Sequence, residues 1–168
     1  HTVLQALGAP VRLKWPNDVL GPDGRAKLGG ILVEIVQLDA VRTWVVVGIG
    51  LNLRAGAALS AQWGRAIADL ESLGLGAIDR FALAAALAAA LEARIDAFVG
   101  AGFAPFVADF DIAHAFHRRR VTIDGDGAQA WSGVCEGVDA RGEVLVRRAD
   151  GRLVQVLSGD VSMAALEN

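Results

Sequence analysis

Lys27-Leu28-Gly29-Gly30-Ile31-Leu32-Val33-Glu34, preceded by Lys14-Trp15-Pro16-Asn17-Asp18 and followed by Gly48-Ile49-Gly50-Leu51-Asn52, decides how this chain is read. Side chains alternate across a β-strand, so Gly48, Gly50 and Asn52 share one face while Ile49, Leu51 and Leu53 share the other. One face is bare backbone ending in an amide, and the opposite face is core. A flat ligand can lie on such glycines, with Asn52 meeting a polar or phosphate oxygen at the end. Close packing of a helix on the strand is the alternative. Gly30 and Leu32 share a face in the same way, but Lys27 has the opposite parity. To serve the same pocket it needs a twist or bulge at Gly29-Gly30; otherwise it is a solvated turn residue. Leu53 stands where a dinucleotide-binding fingerprint requires its third glycine, which excludes that signature.

Pro16 presets φ and favours an extended Trp15, so the chain turns at Asn17-Asp18. Asx residues in such a turn either bond their own backbone or face a site. Lys14 lies on the strand face opposite Trp15, where it can approach that site. Two lysines, an amide and a carboxylate beside a glycine pair suit a pocket that handles an anionic substrate together with a nucleotide phosphate.

Outward from these motifs, residues 1–7 read as the tail of a helix and Val11–Trp15 as a short strand, with a surface hairpin at Gly21-Pro22-Asp23-Gly24. Strands are expected over Leu28–Leu38 and Thr43–Leu53, joined by a polar turn at Asp39–Arg42. Their near-continuous apolar character implies burial on both faces. A helix is expected over Gln62–Leu73. A long one opens at the N-cap Asp79 and runs to about Val99, closed by Gly100, with Phe81, Leu83, Leu87, Leu91, Ile95 and Phe98 as a core stripe. Gly102–Phe116 reads as another helix, broken near Pro105. From Arg119 the period changes to two. Short strands near Val121–Ile123, Gln129–Glu136, Val144–Arg148, Leu153–Leu157 and Val161–Met163, separated by Asp-Gly and Arg-Gly turns, suggest a small closed barrel. The change of period places a domain boundary at 116/117, giving domains 1–116 and 117–168.

The chain has 168 residues, 54% hydrophobic and 21% charged, which fits an ordinary globular protein. A net charge of −3 advertises no basic face, so nucleic acid is not an expected partner. Arg118, Arg119 and Arg120 are solvated surface or a docking patch for an acidic partner. The single cysteine, Cys135, excludes an internal disulfide and a CxxC metal site, and a buried thiol in a reducing cytoplasm fits it. No apolar run reaches the length of a membrane span. His114 and His117, with Asp111 one turn before, lack zinc-site spacing, so no metal ligands are assigned. In Asp124-Gly125-Asp126-Gly127, Ala128 and Cys135 fall where a calcium loop needs oxygen ligands, leaving a hairpin turn.

The ordered motifs KWPND, KLGGILVE and GIGLN resemble the central segment of biotin–protein ligases, and GVDARGEVLVRRADG with LSGDVSM resembles that family's C-terminal SH3-like domain. The resemblance implies an α+β fold. The later part of a catalytic domain, a mixed β-sheet with flanking helices akin to class II aminoacyl-tRNA synthetases, is followed by a small SH3-like β-barrel. It implies a ligase that makes biotinyl-5′-AMP from biotin and ATP with Mg²⁺ and transfers biotin to a lysine of a carboxylase carrier domain. A lipoate–protein ligase-like enzyme and a non-catalytic binding or dimerisation module are the alternatives, and edge strands of the sheet leave a homodimer open. Carried over by position, Lys27 contacts the biotin carboxyl and the adenylate phosphate; Gly30, Leu32, Gly48 and Gly50 line biotin; Lys14, Asn17 and Asn52 serve the nucleotide; and Asp18 is the acidic catalytic residue. The family's glycine- and arginine-rich phosphate loop is not in this sequence and is expected upstream of His1.

Overall fold

The computed structural model describes residues 1–38, 43–54, 56–125, 128–157 and 162–165, so the turn expected at 39–42 lies outside the described residues. The chain forms two compact units, His1–Ile78 and Asp79–Asn168. This division reports packing; the boundary at 116/117 reports a change of sequence period and is a different quantity.

In the first unit a short helix α1 (Thr2–Ala6) leads into strands β1 (Arg12–Lys14), β2 (Asp18–Leu20), β3 (Lys27–Leu38) and β4 (Thr43–Leu51), an antiparallel sheet in the order β1-β2-β3-β4. The β2–β3 hairpin forms because the Asp23 carboxylate accepts from the N–H groups of Arg25 and Ala26 and Gly24 takes a positive φ of 67°. Leu4, Ala9, Val11, Trp15, Val19, Leu20, Leu28 and Leu70 make the core.

Two expectations fail here. β3 and β4 are not buried on both faces: beyond the glycines, Leu32, Val33, Ile35, Val36, Trp44, Val45 and Val46 are exposed, Ile35 by 68%. Apolar composition records which surfaces need cover, and among the described residues no layer of this unit supplies it there. The helix expected over 62–73 is also displaced. Helix α2 spans Gly56–Trp63 and stops at Gly64, φ 63°. Residues 66–68 then run beside Lys27, which donates its N–H to the Ala66 carbonyl (3.0 Å) and accepts from the Ala68 N–H (2.9 Å). The strand edge offers that backbone tertiary hydrogen bonds, which outweigh a weak helical propensity. The resulting Lys27–Ile67 bridge is parallel, whereas all the strand pairs are antiparallel. A turn over Glu71–Leu75, kinked at Gly74 with φ 89°, follows. Buried Asp69 ties these pieces together, accepting from the Gly56 N–H at the start of α2 and from the Ser72 N–H (2.7 Å). The Ser72 N–H bond holds its carboxyl below the usual range against the opposing effect of burial; the Gly56 N–H and the Ser72 hydroxyl add to the lowering.

In the second unit, helix α3 (Arg80–Ala101) opens as read: the Asp79 carboxylate accepts from the Phe81 and Ala82 N–H groups. It runs past Gly100 and ends at Gly102, φ 65°. Of its apolar stripe Leu83 is buried, while Phe81, Ile95 and Phe98 are exposed, Phe81 by 71%. A 3₁₀ turn (Ala104–Phe106) around Pro105 and helix α4 (Val107–Ala113) follow. Strands β5 (Arg120–Gly125), β6 (Ala128–Val138), β7 (Val144–Arg147), β8 (Leu153–Val156) and β9 (Ser162–Ala165) form an antiparallel sheet in the order β8-β7-β6-β5-β9. The α+β class is as expected, but the barrel is not closed: β8 and β9 stand at opposite edges, with no ladder between them among the described residues. No helix among those residues is long and apolar enough to cross a membrane.

α4 is keyed to β6. The Asp111 carboxylate accepts from the Val138 N–H at 3.0 Å, and a Cβ on Gly137 would overlap that carboxylate, so glycine is required there on steric grounds as well as by its φ of 116°. His114, 3% exposed, lies with Nδ1 3.8 Å from Cys135 Sγ among Phe110 and Phe116. Burial, helped by repulsion from His117, lowers the imidazole to about 4, and burial raises the Cys135 thiol to about 11.

A group that resists protonation only when folded gives full stability above its unfolded pKa of 6.5 and loses it as pH falls toward 4. The loss is about 3 kcal/mol over that window. Urea midpoints from pH 7 to 4.5 are expected to fall in the parent and to flatten in His114→Phe; an unchanged slope would reject the assignment. Cys135 is expected to resist a thiol reagent until the chain is denatured, since thiolate and access are both withheld.

Candidate functional site

The β2–β3 register shows how Lys27 reaches its face. Asp18 pairs with Gly30, Val19 with Gly29, and Leu20 with Lys27, which leaves Leu28 as an extra residue on β3. This bulge sits one residue before the expected Gly29-Gly30, and it reverses the parity between Lys27 and Gly30. Leu28 is fully buried and fixes the bulge in the core. Lys27 Nζ lies 2.5 Å from Asp18 Oδ1, over Gly30, where an added Cβ would stand 3.6 Å from that ammonium nitrogen. Lys14, directly across from Asp18 on β1, places Nζ 3.8 Å from Asp18 Oδ2. Asp18 therefore faces two ammonium groups, where the sequence reading left it a choice between a local turn and the site.

The glycines divide into two kinds. Gly30 pairs with Gly50 and Leu32 with Gly48, so two directly opposed residues of β3 and β4 carry no side chain. A Cβ on Gly48 or Gly50 would meet nothing closer than 3.9 Å. Packing inside the chain does not require these glycines, so the open shelf above them is free for a ligand. Gly29 differs: its Cβ would overlap the Gly50 carbonyl and crowd Leu51, so Gly29 serves the fold.

Over the shelf lies a concavity of about 460 Å³ lined by Asn17, Asp18, Lys27, Gly30, Ile31, Leu32, Gly48, Ile49 and Gly50. Seven of the nine sequence-derived site residues meet there. Asn52 lies beyond, in an adjoining concavity of about 320 Å³ that shares Lys27, Gly30 and Gly50 and adds Trp63 and Arg65. Lys14 lines neither and stands behind Asp18. Trp63 and Arg65 were not anticipated. The Arg65 guanidinium lies 5.1 Å over the Trp63 ring, a flat cationic–aromatic pair. Their neighbourhood had been read as helix, and no spacing motif marks them.

The two asparagines hold backbone. Asn17 Nδ2 donates to the Ile31 carbonyl (2.8 Å) and its own carbonyl accepts from the Ile31 N–H (2.9 Å). Asn52 Nδ2 donates to the carbonyls of Lys27 (3.3 Å) and Ala68 (3.1 Å). Lys27 is thus fixed through β2, the 66–68 segment and Asn52, and its ammonium stands where the two concavities meet. One is lined by bare backbone, aliphatic side chains, Asn17 and Asp18; the other adds an aromatic, a guanidinium and the Asn52 amide. Two anionic reactants can share one cation in such an arrangement.

Residues 119–163 match the family model described as biotin protein ligase C terminal domain. Over 167 residues, 98% of the chain, the sequence is 32% identical to the bifunctional ligase/repressor BirA of Escherichia coli strain K12, covering 50% of that protein. It is 35% identical over 153 residues, 91% of the chain, to the biotin–[acetyl-CoA-carboxylase] ligase of Mycobacterium tuberculosis, covering 53% of it. The fold matches the biotin protein ligase of Aquifex aeolicus solved with biotin and ATP, with a TM-score of 0.80 and 22% identity over 98% of this chain and 67% of that one. The resemblance read from the motifs therefore holds along nearly the whole chain, which spans about half the length of these curated relatives.

The contrast between the glycines is testable by substitution. Gly29→Ala is expected to destabilise the fold by about 1–3 kcal/mol, as overpacking does. Gly50→Val should fold with a near-parent melting temperature and fill the shelf. Equal destabilisation by the two would show that Gly50, too, is kept for packing.

Proposed function

We propose that this chain is the later part of a biotin–protein ligase, with 1–116 from its catalytic domain and 117–168 its C-terminal domain. The complete protein forms biotinyl-5′-AMP from biotin and ATP and passes biotin to a lysine of a carboxylase carrier domain. The observation that carries this reading is the Lys27 ammonium over the Gly30–Gly50 shelf at the junction of two concavities. The likeness to proteins named as biotin ligases supports it, including one solved with biotin and ATP.

In the first step a biotin carboxylate oxygen attacks the α-phosphorus of ATP, and pyrophosphate leaves. Both reactants are anionic, so a fixed cation must offset their repulsion and the charge growing in the transition state. Lys27 reaches both sides, with biotin on the glycine shelf beside Leu32 and the nucleotide toward Asn52, Trp63 and Arg65. In the second step the carrier amine attacks the acyl carbon of the mixed anhydride, AMP leaves, and an amide forms. Asp18 lines the same concavity and is placed to orient or accept the amine proton. Among the described residues no cluster of three His, Cys, Asp or Glu side chains is built to hold a metal, and Asp18 is committed to two ammoniums. A magnesium ion that comes with ATP is held mainly by the phosphates and water, and it would neutralise phosphate charge in the first step.

Lys27→Ala in the complete protein is expected to slow adenylate formation at least about 100-fold, about 2.7 kcal/mol, measured by pyrophosphate exchange. Near-parent exchange would reject the role. Incubation of the parent with biotin, ATP and a carrier domain should give streptavidin-detectable carrier; a carrier that accepts lipoate and not biotin would point to the sibling enzyme.

A further inference from the structure

A second ammonium group, that of Lys14, stands beside the Lys27–Asp18 pair. Asp18 meets a different ammonium with each oxygen: Oδ1 is 2.5 Å from Lys27 Nζ and Oδ2 is 3.8 Å from Lys14 Nζ. Strand pairing fixes the order, since Lys14 lies opposite Asp18 and Asp18 lies opposite Gly30. All three side chains retain contact with water, at 24%, 18% and 36% exposure.

Taken alone, Lys27 and Asp18 cancel. A closed pair would draw an anion weakly and would present it with a carboxylate inside the pocket. Lys14 leaves the cluster with one uncompensated positive charge and gives the far oxygen of Asp18 somewhere to go. We propose that Lys14 is a positioning residue that acts through Asp18. It supplies the excess charge that attracts an anionic ligand, and it retains the Asp18 carboxylate when that ligand, a carboxylate or a phosphate, takes over Lys27. Lys14 lines neither concavity, so direct contact with the ligand is not its part. The identity of the anion rests on the ligase reading above; the charge relay does not.

The test is calorimetric titration of the complete protein with inorganic pyrophosphate, alongside biotinyl-adenylate formation from biotin and ATP. Lys14→Met is expected to weaken pyrophosphate binding about tenfold, the size of one charge acting over a few ångströms in a half-solvated site. Lys14→Arg should restore it. The decisive variant is Lys14→Met/Asp18→Asn, which again carries one excess positive charge and should recover most of the lost affinity. A purely structural role would not produce that rescue. A double variant as weak as Lys14→Met, or Lys14→Met binding like the parent, would overturn the proposal. Rescue with pyrophosphate in a protein that makes no adenylate would keep the relay and sink the ligase reading. Adenylate formation without rescue would do the reverse.

Discussion

The ion pair between Lys27 and Asp18 is the contact on which the site depends, and a one-residue bulge makes it possible. Were Leu28 an ordinary residue of the ladder, strand alternation would send Lys27 to the face opposite Gly30, away from the shelf and from Asp18. Because Leu28 is buried, slipping the register back would expose a leucine and bury a lysine together. The hydrophobic core therefore enforces the position of the ammonium group. The Asn52 amide and the 66–68 segment hold the same residue by its backbone, so Lys27 is constrained at main chain and side chain alike.

Around that pair, glycine does two different jobs within one ribbon. Gly29 is small because a neighbouring carbonyl leaves no room for more. Gly48 and Gly50 have room for a side chain and do without one. The second case is the informative one. Packing within the chain does not account for those two glycines, and the proposed ligand site makes use of the space they leave.

The second unit shows a different way of joining elements. α4 meets β6 through Asp111, whose carboxylate takes the Val138 N–H over the only residue type that fits at Gly137, and through a buried contact between His114 and Cys135. Burial keeps His114 and Cys135 neutral, so that contact is held by packing, beside the hydrogen bond that the Asp111 carboxylate accepts. The Lys14–Asp18–Lys27 cluster of the first unit is the reverse: charged and in partial contact with water.

Legibility followed the physical range of each signal. Strand alternation, the Asp79 cap and the turns at Arg141-Gly142 and Asp150-Gly151 are local, and the elements they mark lie close to where the sequence predicts them, while the turn expected at 124–127 falls partly outside the described residues. Parity showed that Lys27 could reach the shelf only through a twist or bulge near Gly29; that the bulge forms, at Leu28, came from the strand pairing. Other features depended on partners distant in sequence: the displacement of the 62–73 helix by the edge of β3, the pairing of Trp63 with Arg65, the attachment of Asn17 and Asn52 to backbone, and the open edges of the second sheet. Apolar stripes on β3, β4 and α3 announced surfaces that seek cover, and periodicity cannot say whether cover is there. The chain by itself determined which residues of a regular strand share a face, because that follows from spacing along one strand. Only the tertiary structure decided that Asp18 stands between two lysines and that Lys27 joins two concavities, because charge proximity is a property of strands brought side by side.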